Sequence, residues 1–377
     1  MFYCCKEVPM LNVSPLSKLQ KLQGRVKERR TVGLSDEVIK QFLKLDKNLG
    51  AAIDRAYEVQ PGVVKELPEA TQLSEADLLK RLHDGYMNFY SPEGVTPYVP
   101  LAAKGPWIVT LHGAVVYDTG GYGMIGFGHS PETVLEKLGT EYVMANIMTP
   151  SIAQQRFMSK LRDKVGMTRA QPPYDRFLCL NSGSEAVTMA ARLSDVQAKL
   201  MTDPGAKHEG KQIKLLALDK AFHGRTGRPA QVSSSGLIKY QRALATFRDR
   251  DNLLTVEPNN IAELERAFER IRAQDMYLEA MFMEPVMGEG NPGLSVTPEF
   301  YETARRLTHA NDSLLIVDSI QAGLRAQGVL SITDYPGFEA LDPPDMETFS
   351  KALNAGQFPL SVLAMQQWVA DIYELGI

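Results

Sequence analysis

Five short segments carry residue types that could do chemistry, and four of them come after an apolar run of strand length. Asn181-Ser182-Gly183-Ser184-Glu185-Ala186 puts small residues and free backbone N–H groups where a helix begins. Such a turn suits an anion such as phosphate, and on its own it reads equally well as an ordinary helix cap. Phe222-His223-Gly224-Arg225-Thr226 offers a ring that could stack on a flat heterocycle. Taken alone, Phe222 reads more simply as core and His223 as a hydrogen-bonded loop residue. Glu284-Pro285-Val286-Met287-Gly288-Glu289-Gly290 holds two carboxylates in a Gly-rich turn. They could orient a ligand, or simply be solvated. Asp318, in Asp318-Ser319-Ile320-Gln321-Ala322-Gly323, ends an apolar run and must be hydrogen-bonded or paired. A protonated pyridine nitrogen is one such partner, and a cap for the following turn is the plain alternative. Lys351 sits between apolar neighbours in Thr348-Phe349-Ser350-Lys351-Ala352-Leu353. A lysine held that way can lose its proton and act as an amine nucleophile, unless it snorkels to the surface.

These segments need elements to bring them together. Phe177–Leu180, Lys214–Leu218, Ala280–Met283 and Leu314–Val317 are continuous apolar stretches. Helical patterns lie between them at Ser184–Leu200, Ile261–Ala273 and Pro298–Ala310. That alternation predicts an α/β fold with a mostly parallel sheet covered on both faces. In such sheets ligands sit at the carboxyl ends of the strands, where four of the five segments follow. Residues 1–90 read as a helical arm, with apolar spacing of three and four from Asp36 to Tyr57 and a further helix over Ser74–Tyr90. The stretch 91–165 holds a hairpin, Trp107–Thr110 and Ala114–Asp118 joined through His112-Gly113, and a helical pattern from Pro131 towards Val165. Residues 166–377 form the large α/β domain. Thr202–Gln212 reads as a loop.

Bulk properties narrow the function further. The 377 residues suggest two or three structural units. The net charge of −4 leaves no broad positive field for nucleic acid or an anionic membrane surface. No apolar run is long enough to span a bilayer, and no secretory signal pattern opens the chain. The basic run Lys27-Glu28-Arg29-Arg30 reads as a solvated helix face. Cys4, Cys5 and Cys179 make neither a disulfide framework nor a zinc spacing, which suits the cytoplasm or an organellar matrix. Cys179 reads as a small buried hydrophobe. Six scattered histidines give no metal pair, and His309 reads as helix surface. The Gly-x-Gly-x-x-Gly strings Gly121–Gly126 and Gly288–Gly293 read as turns, since neither leads from a strand into a helix with a suitably placed acid.

Together the segments supply an anion cup, a stacking ring, a carboxylate and an amine, which is what pyridoxal 5'-phosphate (PLP) requires. Their order and spacing resemble the successive motifs of the class III aminotransferases, the ornithine, acetylornithine and 4-aminobutyrate enzymes. The resemblance spans roughly residues 95 to 365, including the Gly120–Pro131 loop. It implies the PLP-dependent transferase fold of type I, with a seven-stranded type of sheet sandwiched by helices. It also implies a homodimer, and ping-pong transfer of an amino group from an amino acid or amine donor to a 2-oxo acid. Carried over residue by residue, Lys351 would form the Schiff base and Asp318 would pair with the pyridine nitrogen. Gln321 would meet the phenolic oxygen, Ser182, Gly183 and Ser184 would hold the phosphate, and Phe222 would stack, with His223 and Glu284 beside the cofactor. Tyr122 and Glu289 would face the substrate. The chain departs from the family at Ser319, where Glu is usual, and at Met287, where Gln is common. It also ends at Ile377, where relatives continue into a C-terminal small domain that supplies a phosphate-binding Thr to the partner subunit and often a substrate-binding Arg. Another reaction of the same fold, an aminomutase or racemase, and a catalytically incomplete relative remain as alternatives. The amino donor is not legible.

Overall fold

The computed structural model describes residues 13–373 except 86, 88–93 and 140–148; the side chain of Tyr122 also lies outside the described residues. The chain packs as two units, residues 13–121 with 127–139, and residues 122–126 with those described after 148.

The first unit holds α1 (Pro15–Gln23), α2 (Asp36–Leu45), α3 (Lys47–Glu66), α4 (Glu75–His83), the strands β1 (Pro100–Lys104), β2 (Trp107–Thr110) and β3 (Val115–Tyr117), and α5 (Glu132–Leu138). Three antiparallel strands in the order β1-β2-β3 contain the expected hairpin, with β1 added at its edge. Leu19, Leu22, Leu49 and Ile53 share a core with Trp107, Val109 and Val115. Helical arm and hairpin therefore belong to one unit, and the expected division at residue 90 falls inside it. The apolar spacing expected to make one helix over Asp36–Tyr57 is broken at Asp46. Its carboxylate accepts from Asn48 N at 2.9 Å, capping α3, and from Trp107 Nε1 at 2.7 Å. Lys27–Arg30 is exposed but not helical, because α1 ends before Gly24. A single oxygen of Glu75 accepts the amides of Arg30 and Thr31 at 2.8 and 2.6 Å and keeps that strand of chain away from helical geometry. The expected Ser74–Tyr90 helix is α4, capped by Ser74; residues 86 and 88–90 of that expectation lie outside the described residues.

The second unit holds α6 (Ile152–Lys164), β4 (Arg176–Leu180), α7 (Gly183–Thr202), β5 (Gln212–Leu218), α8 (Gly227–Val232), α9 (Leu237–Ala243), β6 (Leu253–Val256), α10 (Ile261–Ala273), β7 (Met276–Met283), α11 (Pro298–Ala310), β8 (Leu314–Asp318), β9 (Met346–Phe349), β10 (Ser361–Met365) and α12 (Gln367–Asp371). The helical pattern expected from Pro131 towards Val165 is α5 and α6, with 140–148 outside the described residues. Seven strands form one sheet in the order β4-β10-β9-β8-β7-β5-β6. All run the same way except β10, which is antiparallel to both neighbours. The four expected strands are β4, β5, β7 and β8. β7 and β8 are buried along their whole length, as strands covered on both faces must be. Helix α7 packs against β4 and β7–β10, and α10 and α11 against β6–β8. Cys179 is half-buried rather than buried, because β4 is an edge strand. What burial it has pushes its thiol up and away from the thiolate form. His309 is exposed on α11, as expected. No helix of the described residues is long and apolar enough to cross a membrane.

Candidate functional site

The parallel strands β4, β5, β7, β8 and β9 end together, and the residues that follow them line one cavity of about 310 Å³. The sequence-predicted residues Ser182, Gly183, Ser184, Phe222, His223, Glu284, Asp318, Gln321 and Lys351 all lie on its wall.

At the β4 end, Ser182 caps α7. Its hydroxyl accepts from Glu185 N at 3.3 Å, and the Glu185 carboxylate takes the amides of Ser182 and Asn181 at 3.0 and 2.8 Å. That capping box leaves the amides of Gly183 and Ser184 without an acceptor among the described residues. They open a helix of 20 residues, where backbone dipoles favour an anion. Gly224, at φ 127, comes so near that a Cβ there would stand 2.8 Å from Ser184 Oγ. Only glycine lets this loop close over the helix start.

At the β5 and β7 ends, Glu284 is 3 % exposed and accepts the amides of Phe222 at 2.9 Å and Gly288 at 2.8 Å. It therefore ties two loops of the cavity wall together. Burial pushes its carboxyl up to about 7, against the pull of His223. Glu289 is not on the cavity wall: it pairs with Arg225 at 3.0 Å, and the Arg225 guanidinium stands 5.2 Å from the Phe222 ring centroid.

At the β8 end, Asp318 answers the question its burial raised. Its Oδ1 accepts from Ile320 N at 3.1 Å and Thr348 Oγ1 at 3.0 Å, and its Oδ2 lies 2.9 Å from His223 Nδ1. His223 is buried, and its Nε2 has no hydrogen-bond partner among the described residues. At the β9 end, Lys351 takes a left-handed backbone conformation, φ 46, unusual for a side chain of its size. Burial pushes its ammonium down to about 8, opposed by the charge of Asp318 and assisted by that of Arg325. A lysine so placed is partly an unprotonated amine near neutral pH.

An anion cup, a ring, a buried carboxylate and a softened amine thus face one space. These residues fit PLP, and the fit rests on the two amides at the head of α7 that lack acceptors. Sequence reasoning missed Thr348, whose hydroxyl holds Asp318, together with Met124, Ile320 and Asn354 on the wall. Thr348 offered no signal, since its partner is 30 residues away. Asn354, one turn beyond Lys351, could have been found by its spacing.

The profile of the aminotransferase class-III family matches residues 90–376. Ornithine aminotransferase of Staphylococcus epidermidis is 28% identical over 300 residues, covering 77% of this chain and 69% of that protein. Ornithine aminotransferase of Staphylococcus carnosus is 28% identical over 308 residues, covering 80% and 70%. The crystal structure of the ornithine aminotransferase of Toxoplasma gondii superposes with a TM-score of 0.63 at 22% identity, over 83% of this chain and 69% of that one. Acetylornithine aminotransferase of Elizabethkingia anophelis does so with a TM-score of 0.59 at 19% identity, over 81% and 68%. At those identities the structural likeness speaks for the fold, which is the expected α/β arrangement around a large, mostly parallel sheet.

Proposed function

The chain belongs to the class III aminotransferases, a PLP-dependent family that moves amino groups between amino acids and oxo acids, and from that premise we propose that Lys351 is the amine that holds the cofactor in the cavity of the second unit. The observation that carries this reading is the convergence of Lys351, Asp318 and the head of α7 from separate strands onto one space. PLP supplies an aldehyde that condenses with amines and a ring that accepts the electrons left when a C–H bond breaks. The rest is the work of the protein. The amides of Gly183 and Ser184 and the hydroxyls of Ser182 and Ser184 bind the phosphate. Asp318, braced by Thr348 and His223, holds a proton at the ring nitrogen. Gln321 donates to the phenolic oxygen, and Phe222 covers one face of the ring. The amine of Lys351, placed on the same wall, would take the proton from the carbon that bears the substrate's amino group, acting as the general base. Glu289 and Tyr122 belong to the substrate side of this proposal, with Arg225 available to a substrate carboxylate when Glu289 releases it. The working unit is a homodimer, and its place is the cytoplasm.

An absorbance titration with PLP, before and after borohydride, tests the reading. The wild-type chain is expected to develop a visible band that borohydride fixes covalently on the peptide containing Lys351, and Lys351→Ala to lose both. Covalent attachment at another lysine overturns the assignment. With ornithine, the amine in the relatives' names, an absolute need for an oxo acid separates amino transfer from isomerisation or racemisation. Light scattering reads the dimer.

A further inference from the structure

Glu347 stands in the middle of β9 with no exposed surface, and it is absent from the cavity wall. A carboxylate so buried is costly unless donors surround it. Four do: Tyr174 OH at 2.7 Å, Ser331 Oγ at 2.6 Å, Ile332 N at 2.9 Å, and the hydroxyl of Ser319. Burial still pushes the carboxyl up to about 7, so even this set of donors does not fully replace water.

Three of the four donors belong to the two ends of one excursion of the chain. Ser319 is the first residue after Asp318, and Ser331 and Ile332 bring the excursion back. Between them lie Ile320 and Gln321, both on the cavity wall. No strand or α-helix spans 319–331 to hold this stretch. It turns through Leu324 at φ 61 and is closed on itself by turn bonds such as Gly323 N to Ser319 O and Leu324 N to Val329 O, both 2.7 Å, while Ser319 N to Thr348 O at 3.0 Å ties its start to β9. Successive side chains of a strand point to opposite faces. Thr348 accordingly reaches Asp318 from one face of β9 while Glu347 reaches Ser319 from the other. Two neighbours on β9 grip two neighbours at the end of β8.

We propose that Glu347 is a positioning residue for the cofactor site: by holding both ends of the 319–331 excursion, its carboxylate sets the Asp318–Gln321 segment against the ring. This rests on the reading that the cavity takes PLP.

Three variants separate positioning from plain core support. Ser319→Ala and Tyr174→Phe each remove one hydroxyl from the same buried carboxylate, the first on the cofactor segment and the second away from it. Glu347→Gln keeps the shape and removes the charge. If Glu347 positions the segment, the Kd for PLP rises about tenfold in Ser319→Ala and in Glu347→Gln, with a shifted absorbance maximum, and changes by less than about twofold in Tyr174→Phe. Thermal unfolding of the cofactor-free chains is expected to fall to a similar degree in Ser319→Ala and Tyr174→Phe, since each loses one bond of the same kind. Wild-type affinity and spectrum in Ser319→Ala, or equal weakening in Ser319→Ala and Tyr174→Phe, overturns this inference while leaving the cofactor assignment intact. A wild-type chain that binds no PLP overturns both.

Discussion

Replacing Gly288 by alanine tests the cavity wall at a single atom. The backbone of Gly288 is not in the left-handed region, so alanine can adopt it without strain. Its amide stays in place to donate to Glu284 at 2.8 Å. The new Cβ, however, would lie 1.4 Å from Gln321 Oε1 and 2.3 Å from its Cδ. Two non-bonded atoms cannot share that space, and the amide of Gln321 is the softer of the two parties. It must swing away from the position in which it lines the cavity. Overpacking of this kind costs about 1–3 kcal/mol of folding stability. Loss of one hydrogen bond to a charged oxygen costs a comparable amount of binding, about tenfold or more in Kd. A PLP titration followed by absorbance reads the second quantity, and urea unfolding of the cofactor-free chain reads the first. Gln321→Ala should weaken PLP to the same degree while sparing stability. The double variant should bind as Gln321→Ala does, with the stability of Gly288→Ala partly restored, because the obstacle has been removed. Neighbours that share one contact are coupled in this way. Wild-type affinity in Gly288→Ala, or strictly additive effects in the pair, would refute both the collision and the part given to Gln321.

Three further outcomes are expected. On mixing the cofactor-free chain with PLP, the rate at which the lysine-bound band appears should rise with pH and level off around a midpoint of about 8, because burial lowers Lys351; a midpoint near 10.4, the value of an ordinary lysine, contradicts the burial argument. Glu284 and Glu347 are pushed up to about 7 in the folded chain, above their unfolded values. The folded state thus holds protons that the unfolded state has lost, so their contribution to stability is complete at pH 4 and fades as pH climbs through 7; urea midpoints measured across that range should fall less steeply in Glu347→Gln than in wild type. Arg305 reaches the buried Asp345 at 2.8 and 2.9 Å, and Asp345 also accepts Leu315 N at 2.7 Å. Arg305→Ala should cost about 3–5 kcal/mol by stranding that charge, and adding Asp345→Asn should recover part of it in the same unfolding assay.

The sheet was legible where its strands are mostly apolar. Lys214–Leu218, Ala280–Met283 and Leu314–Val317 announce strands covered on both faces, Phe177–Leu180 announces a strand that as the sheet's edge is only half-buried, and the chemistry after them falls where strand ends place it. β9 escaped because Met346-Glu347-Thr348-Phe349 mixes a carboxylate and a hydroxyl into a buried strand. Their partners lie 15 residues away or more, and Tyr174 is 173 residues from Glu347. A one-dimensional reading has no means of pairing groups so far apart. The same distance hid the pairing of His223 with Asp318. α2 and α3 were read as one helix because apolar spacing continues across Asp46, whereas the break is made by a cap and by Trp107, 61 residues on. Glu289 was read toward the substrate on its motif, and only three-dimensional structure brings Arg225 beside it.

The single antiparallel strand of the seven-stranded sheet also bears on how the protein is made. Among the described residues, β4 pairs with β10 and with no other strand, so the stretch that leads into the head of α7 joins the sheet through Ser361–Met365. Ser361 Oγ even donates to Ser182 O at 2.7 Å, at the cap of that helix. On a ribosome adding about 5–20 residues per second, β4 must wait on the order of ten to forty seconds for that partner to be synthesised. Until then it is an unpaired edge, open to the wrong neighbour. Such a long-range closure also belongs to the slow end of folding. The cavity proposed to take PLP is therefore among the last parts of the second unit to exist, and the onset of PLP binding during refolding is expected to serve as a clock for the insertion of β10.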